Sequence, residues 1–175
     1  MNPNEGAEKY RGHYDRALKA LDAFGIDRKE EPTWVDIASR LTPEKLALIE
    51  KVEGAQLILV PPQSRQDLVK AINSKVGDHG MKHEAYTYRL EDDALWNNGK
   101  SEKDLTWEVA FVDGRQDLPY NEKLQAGKTA HEQVKALRAL HEQNGVGTLI
   151  GARSYLTLMM QGLDAKTPTD GKYWT

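Results

Sequence analysis

The sequence has no cysteine among its 175 residues. This absence excludes disulfides, thiolate nucleophiles and cysteine-ligated zinc sites. It also has no apolar run near the roughly 18 residues that a membrane-spanning helix requires. The polar start, Met1–Gly6, is unlike the apolar segment of a secretory signal. We therefore expect a cytoplasmic protein with no membrane partner.

The net charge of the chain is also small. It carries 24 Lys and Arg against 27 Asp and Glu, a formal charge of -3. A balance of this kind supplies no sequence-independent attraction to nucleic-acid phosphates. Its length is typical of one domain that buries a core without metal or disulfides. We expect a single α+β domain over residues 1–175 that does not bind nucleic acid.

Helical patterns occupy both ends of the domain and predict a helical N-terminal part, 1–54, and a helical C-terminal part, 122–163. In the first, Thr42 and Pro43 are suited to the cap and first turn of a helix. In the second, the apolar stretch 148–163 predicts a core helix. A preceding helix should bury one stripe at helical spacing, made of Ala130, Val134, Leu137 and His141.

Three segments between these parts have strand patterns. Leu57–Val60 is apolar on both faces, which predicts a strand buried on both sides. Tyr86–Leu90 and Thr106–Val112 alternate with period two. The predicted fold is therefore α+β, with a small, mainly antiparallel sheet of about three strands packed by the N- and C-terminal helices.

His79 and His83 have the i, i+4 spacing of two zinc ligands on one helix face, and Glu84 follows them. This pattern keeps open a metal-assisted hydrolase or nuclease as the alternative function. Gly77 and Gly80 argue against a helix here, and two exposed loop histidines are the commoner interpretation. No cofactor is predicted.

Two further places are candidates for ligand binding. Ser64 and Arg65 stand where a buried strand passes into a helix, and a helix N-terminus favours an anion. No glycine there permits close backbone approach, so a plain connection is the default interpretation. Trp96 lies in a polar loop, either as an anchor for a protein partner or folded back onto the sheet.

The sequence contains no catalytic motif that would add further candidate site residues. The sequence has neither the GxSxG elbow of serine hydrolases nor a phosphate-binding P-loop. We therefore expect a chain that is not an enzyme, namely a non-enzymatic module that supports binding or assembly.

The C-terminal segments Gly151–Met160 and Asp170–Thr175 carry a family resemblance. They resemble the stretch that precedes the C-type-lectin-like domain in variable proteins of diversity-generating retroelements. The resemblance implies an accessory domain of a ligand-displaying protein. The aromatic pair Tyr173 and Trp174, after a turn signal, reads as a strand that is opened and not completed. We therefore expect the N-terminal part of a longer protein, with a protein partner or a further C-terminal domain.

Overall fold

The computed structural model of this chain describes residues 5–75, 104–113, 129–146 and 151–164. These residues form a mixed helix-and-strand fold with a small antiparallel sheet. In chain order the elements are α1 (Glu5–Glu8), α2 (Arg11–Ala23), α3 (Trp34–Arg40), α4 (Pro43–Ile49), β1 (Ala55–Val60), α5 (Arg65–Asn73), β2 (Glu108–Asp113), α6 (Ala130–Asn144) and α7 (Ala152–Asp164).

Side-chain caps begin four of the helices. At α3 to α6 the residue before the helix is extended, and its hydroxyl accepts a hydrogen bond from a backbone N–H three residues later. These four caps are Thr33, Thr42, Ser64 and Thr129. The predicted helix start at Thr42 and Pro43 is confirmed. The Thr42 hydroxyl accepts a hydrogen bond from the Lys45 N–H, and Pro43 is the first residue of α4.

The sheet pairs β1 with β2 in antiparallel register, and Leu57 lies opposite Phe111. Two strands are present in the described ranges. The third predicted strand, Tyr86–Leu90, lies outside the residues that the structure describes, so a three-stranded sheet stays a prediction. The strand predicted at Thr106–Val112 is observed slightly later, at Glu108–Asp113.

The core surrounds β1, as its apolar sequence predicts. All four residues from Leu57 to Val60 are fully buried. Leu57 and Leu59 belong to the main cluster with α2, whereas Ile58 and Val60 form a second cluster with Leu158. Helix α7 contributes to both clusters, which confirms the predicted core helix and explains why β1 is apolar on both faces.

Helix α6 contradicts the predicted stripe. None of its residues is buried: His141 is exposed and Val134 is 44% exposed. The half-buried positions are Gln133, Ala136, Leu137, Leu140 and Asn144, so Leu137 alone of the predicted stripe lies on this side. At the end of the helix, Lys51 donates a hydrogen bond to the Asn144 carbonyl at 3.1 Å.

Candidate functional site

The connection between β1 and α5 places the first predicted ligand residue, Ser64, inside the protein. Its side chain is 2% exposed, and its hydroxyl accepts a hydrogen bond from the backbone N–H of Asp67 at 3.1 Å. The hydroxyl therefore caps α5 and satisfies one of the helix's first donors. A ligand at Ser64 stays a prediction.

Arg65, the second predicted ligand residue, is the first residue of α5 and is 9% exposed. Helix α5, which Arg65 begins, packs against α7. A buried guanidinium requires polar partners, because its transfer from water without them is costly. Its burial makes Arg65 part of the packed structure, whether or not an anion also binds there.

A second buried arginine, Arg153, reaches the same connection from α7 and is 2% exposed. Its Nε donates to the Gln63 carbonyl at 2.9 Å, and its Nη2 donates to the Pro61 carbonyl. A longer contact of 3.5 Å joins Nη2 to the Thr106 carbonyl, just before β2. One side chain therefore ties the beginning of α7 to the end of β1 and to the approach to β2.

The charge of Arg153 is balanced by Glu108 of β2. Its Nη1 lies 3.6 Å from Glu108 Oε1, and that carboxylate is partly exposed. Burial lowers the pKa of the Arg153 guanidinium, and the Glu108 charge opposes this shift. The guanidinium remains protonated, since even a lowered arginine pKa lies far above neutral pH. Among the described residues Nη1 makes no hydrogen bond, so the ion pair is its main compensation.

Arg153, Glu108 and the Pro61–Gln63 segment form what we call the Arg153 clamp. The clamp brings the N-terminal ends of α5 and α7 together, because Arg153 is the second residue of α7 and Gln63 immediately precedes the α5 cap. The guanidinium of Arg153 donates hydrogen bonds to backbone carbonyl oxygens and pairs with one carboxylate. The arrangement is therefore suited to holding the start of α7 against the connection between β1 and α5.

Sequence reasoning did not single out Arg153 as a candidate. The signal was a lone arginine near the start of an otherwise apolar helix. A row of polar residues four apart follows from it, at Thr157 and Gln161, and both are also buried. Buried polar groups at helical spacing indicate hydrogen-bonding partners on a neighbouring element. Gln161 bears this out, since it accepts a hydrogen bond from Gln56 of β1 at 2.9 Å.

A second residue that sequence reasoning missed is His13 of α2. Its Nδ1 accepts a hydrogen bond from the backbone N–H of Leu57 at 3.2 Å. Burial lowers the pKa of His13, and the nearby charge of Arg16 lowers it further. This imidazole is therefore neutral in its observed contact, and it links the first long helix to the buried strand.

The predicted metal ligands His79, His83 and Glu84, and the predicted partner anchor Trp96, lie outside the described residues. Over the ranges that are described, no group of three or more histidine, aspartate or glutamate side chains is placed to hold a metal ion. Across those same ranges, no helix combines the length and the apolar character needed to cross a membrane. The metal site and the Trp96 anchor stay predictions.

Comparison of this chain with known proteins gives no relative: no family model, no curated protein and no solved structure matches it. Its function therefore has to be inferred from the chemistry of its own side chains.

Proposed function

We propose that this chain is a non-enzymatic module that supports binding or assembly, and that helix α6 is the surface it presents to a protein partner. The proposal rests on the exposure of α6, a helix of 15 residues of which none is buried. Most helices of this length owe their stability to an apolar face packed on a core. An accessory role beside a ligand-displaying domain, which the resemblance of 151–160 implies, is one form of such a module.

The ends of α6 explain how it is kept helical without burial. Thr129 and Glu132 form a reciprocal capping box, in which the Thr129 N–H donates to the Glu132 carboxylate at 2.8 Å. At the other end Gly145 adopts the left-handed conformation, with φ 72°, and its N–H bonds to the His141 carbonyl. A helix closed in this way is ordered before a partner arrives, which reduces the entropy cost of binding.

The outward side of α6 has a definite chemical character. Val134 is its apolar centre, 44% exposed. His131, Arg138 and His141 lie on the same side at helical spacing and are exposed. We call these four residues the Val134 face. An apolar centre surrounded by basic or protonatable groups fits a partner that offers an apolar pocket with an acidic rim.

The proposal is tested by placing a photo-activatable cross-linking amino acid at Val134 of the full chain in its source cells. The matched control carries it at Val35 of α3, which is 75% exposed. We expect a discrete adduct from position 134 and none from position 35. The cross-linked protein is then purified and its affinity measured by calorimetry with Val134→Glu and Val35→Glu. Loss of binding of at least tenfold is expected for the first variant alone.

Equal adducts from both positions would contradict the proposal, since they would report exposure rather than a specific contact. Unchanged calorimetric affinity of Val134→Glu for the cross-linked protein would contradict it as well. Circular dichroism of both variants provides the folding control, because neither valine is buried.

A further inference from the structure

The hydrogen bond between Leu57 and His13 has a consequence for the edge of the sheet. Leu57 is fully buried, so its backbone N–H requires a partner within the protein. The partner is His13 Nδ1, 3.2 Å away on α2. A side chain of a helix therefore satisfies a strand donor 44 positions away in the chain.

The register of the sheet shows on which side of β1 this bond lies. Leu57 faces Phe111 in the antiparallel pair. In such a pair, alternate residues direct their N–H and C=O groups away from the neighbouring strand. Because Leu57 donates its N–H to α2, that N–H points away from β2. The imidazole of His13 thus occupies the position that the carbonyl of another strand would take at this edge.

The bond also determines the protonation state of the imidazole. A nitrogen that accepts an N–H hydrogen bond has a free lone pair, so the proton of neutral His13 is on Nε2. Protonation would add a second N–H to the ring, at Nδ1, directed at the N–H of Leu57. Two donors would then face each other in a partly buried contact, and the hydrogen bond would be lost.

The surroundings of His13 provide little compensation for a positive charge. The ring of Tyr10, the residue before α2, contacts it edge-on with centroids 5.8 Å apart, and Arg16 on the same helix contributes a like charge. Strand β1, which donates the hydrogen bond through the Leu57 N–H, contains no ionisable side chain. In β2 and α7, which pack on α2 and β1, the ionisable side chains that the structure describes are Glu108, Asp113, Arg153 and Tyr155.

We propose that His13 is a pH-sensitive cap on the edge of β1 that faces away from β2: the neutral imidazole closes this edge at Leu57, and protonation breaks that contact. An uncovered strand edge is the usual site at which another strand adds. Acidification would therefore expose one backbone donor of β1 to pairing with a further strand.

The direction of the pH dependence follows from the lowered pKa of the imidazole. Below the ordinary histidine pKa of about 6.5, the open or unfolded chain binds a proton that the closed form disfavours. The stabilisation from the His13–Leu57 contact is therefore complete above about pH 6.5. It declines as the pH falls from that value towards the lower pKa of the closed form.

The test uses amide hydrogen exchange and nitrogen NMR on the full chain. At pH 7.5, the ¹⁵N shifts of His13 should show an unprotonated Nδ1 and a protonated Nε2. The protection factor of the Leu57 amide, corrected for intrinsic exchange, should fall by up to about tenfold per pH unit below pH 6.5. His13→Asn should remove this dependence, since its amide oxygen can still accept the bond but does not titrate. His141→Asn, at an exposed histidine of α6, is the control and should leave it unchanged.

Two results would overturn the proposal. The first is a proton on Nδ1 of His13 at pH 7.5, which the wild-type chain reports even if His13→Asn does not fold. The second is the same decline of Leu57 protection in wild type and in His13→Asn, since another group would then be responsible.

Discussion

Arg153 Nε donates a hydrogen bond to the carbonyl oxygen of Gln63 at 2.9 Å, although the two residues are 90 positions apart in the sequence. The same guanidinium contacts the Pro61 carbonyl and pairs with Glu108. The last described helix is thereby joined to the connection between β1 and α5. A single buried side chain holds three parts of the chain in their relative positions.

The first prediction concerns this clamp. Arg153→Ala should lower the free energy of unfolding by about 3–5 kcal/mol, because it leaves buried carbonyls and a carboxylate without their partner. Arg153→Lys should restore part of the loss, since an ammonium keeps the charge but cannot reproduce the planar fork. Urea denaturation measures the free energy of unfolding of both variants.

Arg138→Ala, at an exposed arginine of α6, is the control and should change stability by about 0.5 kcal/mol or less. A loss below about 1 kcal/mol for Arg153→Ala would show that the clamp is not a major source of stability.

The second prediction compares two helix caps. Ser64→Ala should cost about 0.5–2 kcal/mol of global stability, because Ser64 caps a helix that packs in the core. Thr129→Ala removes an equivalent cap from α6, which buries no residue. Its effect should be mainly local: faster amide exchange throughout α6 with little change in the urea midpoint. Equal changes in the urea midpoint for the two variants would mean that α6 unfolds together with the core.

The third prediction is a pH dependence at the start of α3. The Thr33 hydroxyl donates to the Asp36 carboxylate at 2.6 Å, and the Thr33 N–H also donates to it. These bonds lower the pKa of Asp36, with a further contribution from the charge of Arg40. The stabilisation is therefore present above the ordinary aspartate pKa of about 3.9 and is lost as the pH falls through the lower folded value.

Carbonyl ¹³C titration should show the lowered pKa of Asp36 in the native chain, and Thr33→Val should move it back towards the ordinary value. An unchanged Asp36 titration in Thr33→Val would assign the shift to a source other than the cap.

The fourth prediction concerns Glu30, a non-glycine residue with a positive φ of 59°. An L residue in this region costs about 1–2 kcal/mol, whereas glycine loses about 0.5–1 kcal/mol through its freer unfolded chain. Glu30→Gly should therefore raise the free energy of unfolding by about 0.5–1 kcal/mol. The neighbouring Lys29→Gly, at an exposed position without positive φ, should lower it. Thermal denaturation of both variants decides the sign, and destabilisation by Glu30→Gly would refute the strain argument.

The local features of this fold were predictable because each depends on residues that are close in the sequence. The cap at Thr42, the capping pair of Thr33 and Asp36, and the apolar strand before Pro61 all require three or four neighbouring side chains. The stripe assigned to α6 was wrong at three of its four positions, since Ala130, Val134 and His141 are exposed. The half-buried side includes Ala136, Leu137 and Leu140, and several short apolar rows of this kind on one helix leave its inward side undecided by the sequence.

The candidate site shows the same division. Ser64 and Arg65 were recognisable from the strand-to-helix connection, but their burial was not. Arg153 and His13 escaped notice because their roles depend on partners 90 and 44 positions away. An arginine or a histidine in an amphipathic helix can equally point into water, and only packing decides between these environments.

By itself, the amino-acid sequence determined the helix start at Thr42 and Pro43, the core helix α7 and the burial of β1, since hydrophobic spacing and short-range hydrogen bonds act within a few residues. Tertiary structure alone decided which polar side chains are buried, which carbonyl Arg153 satisfies, and which edge of β1 His13 closes. The physical reason is that a buried polar group is stable only beside a matching partner, and folding brings that partner from a distant part of the chain.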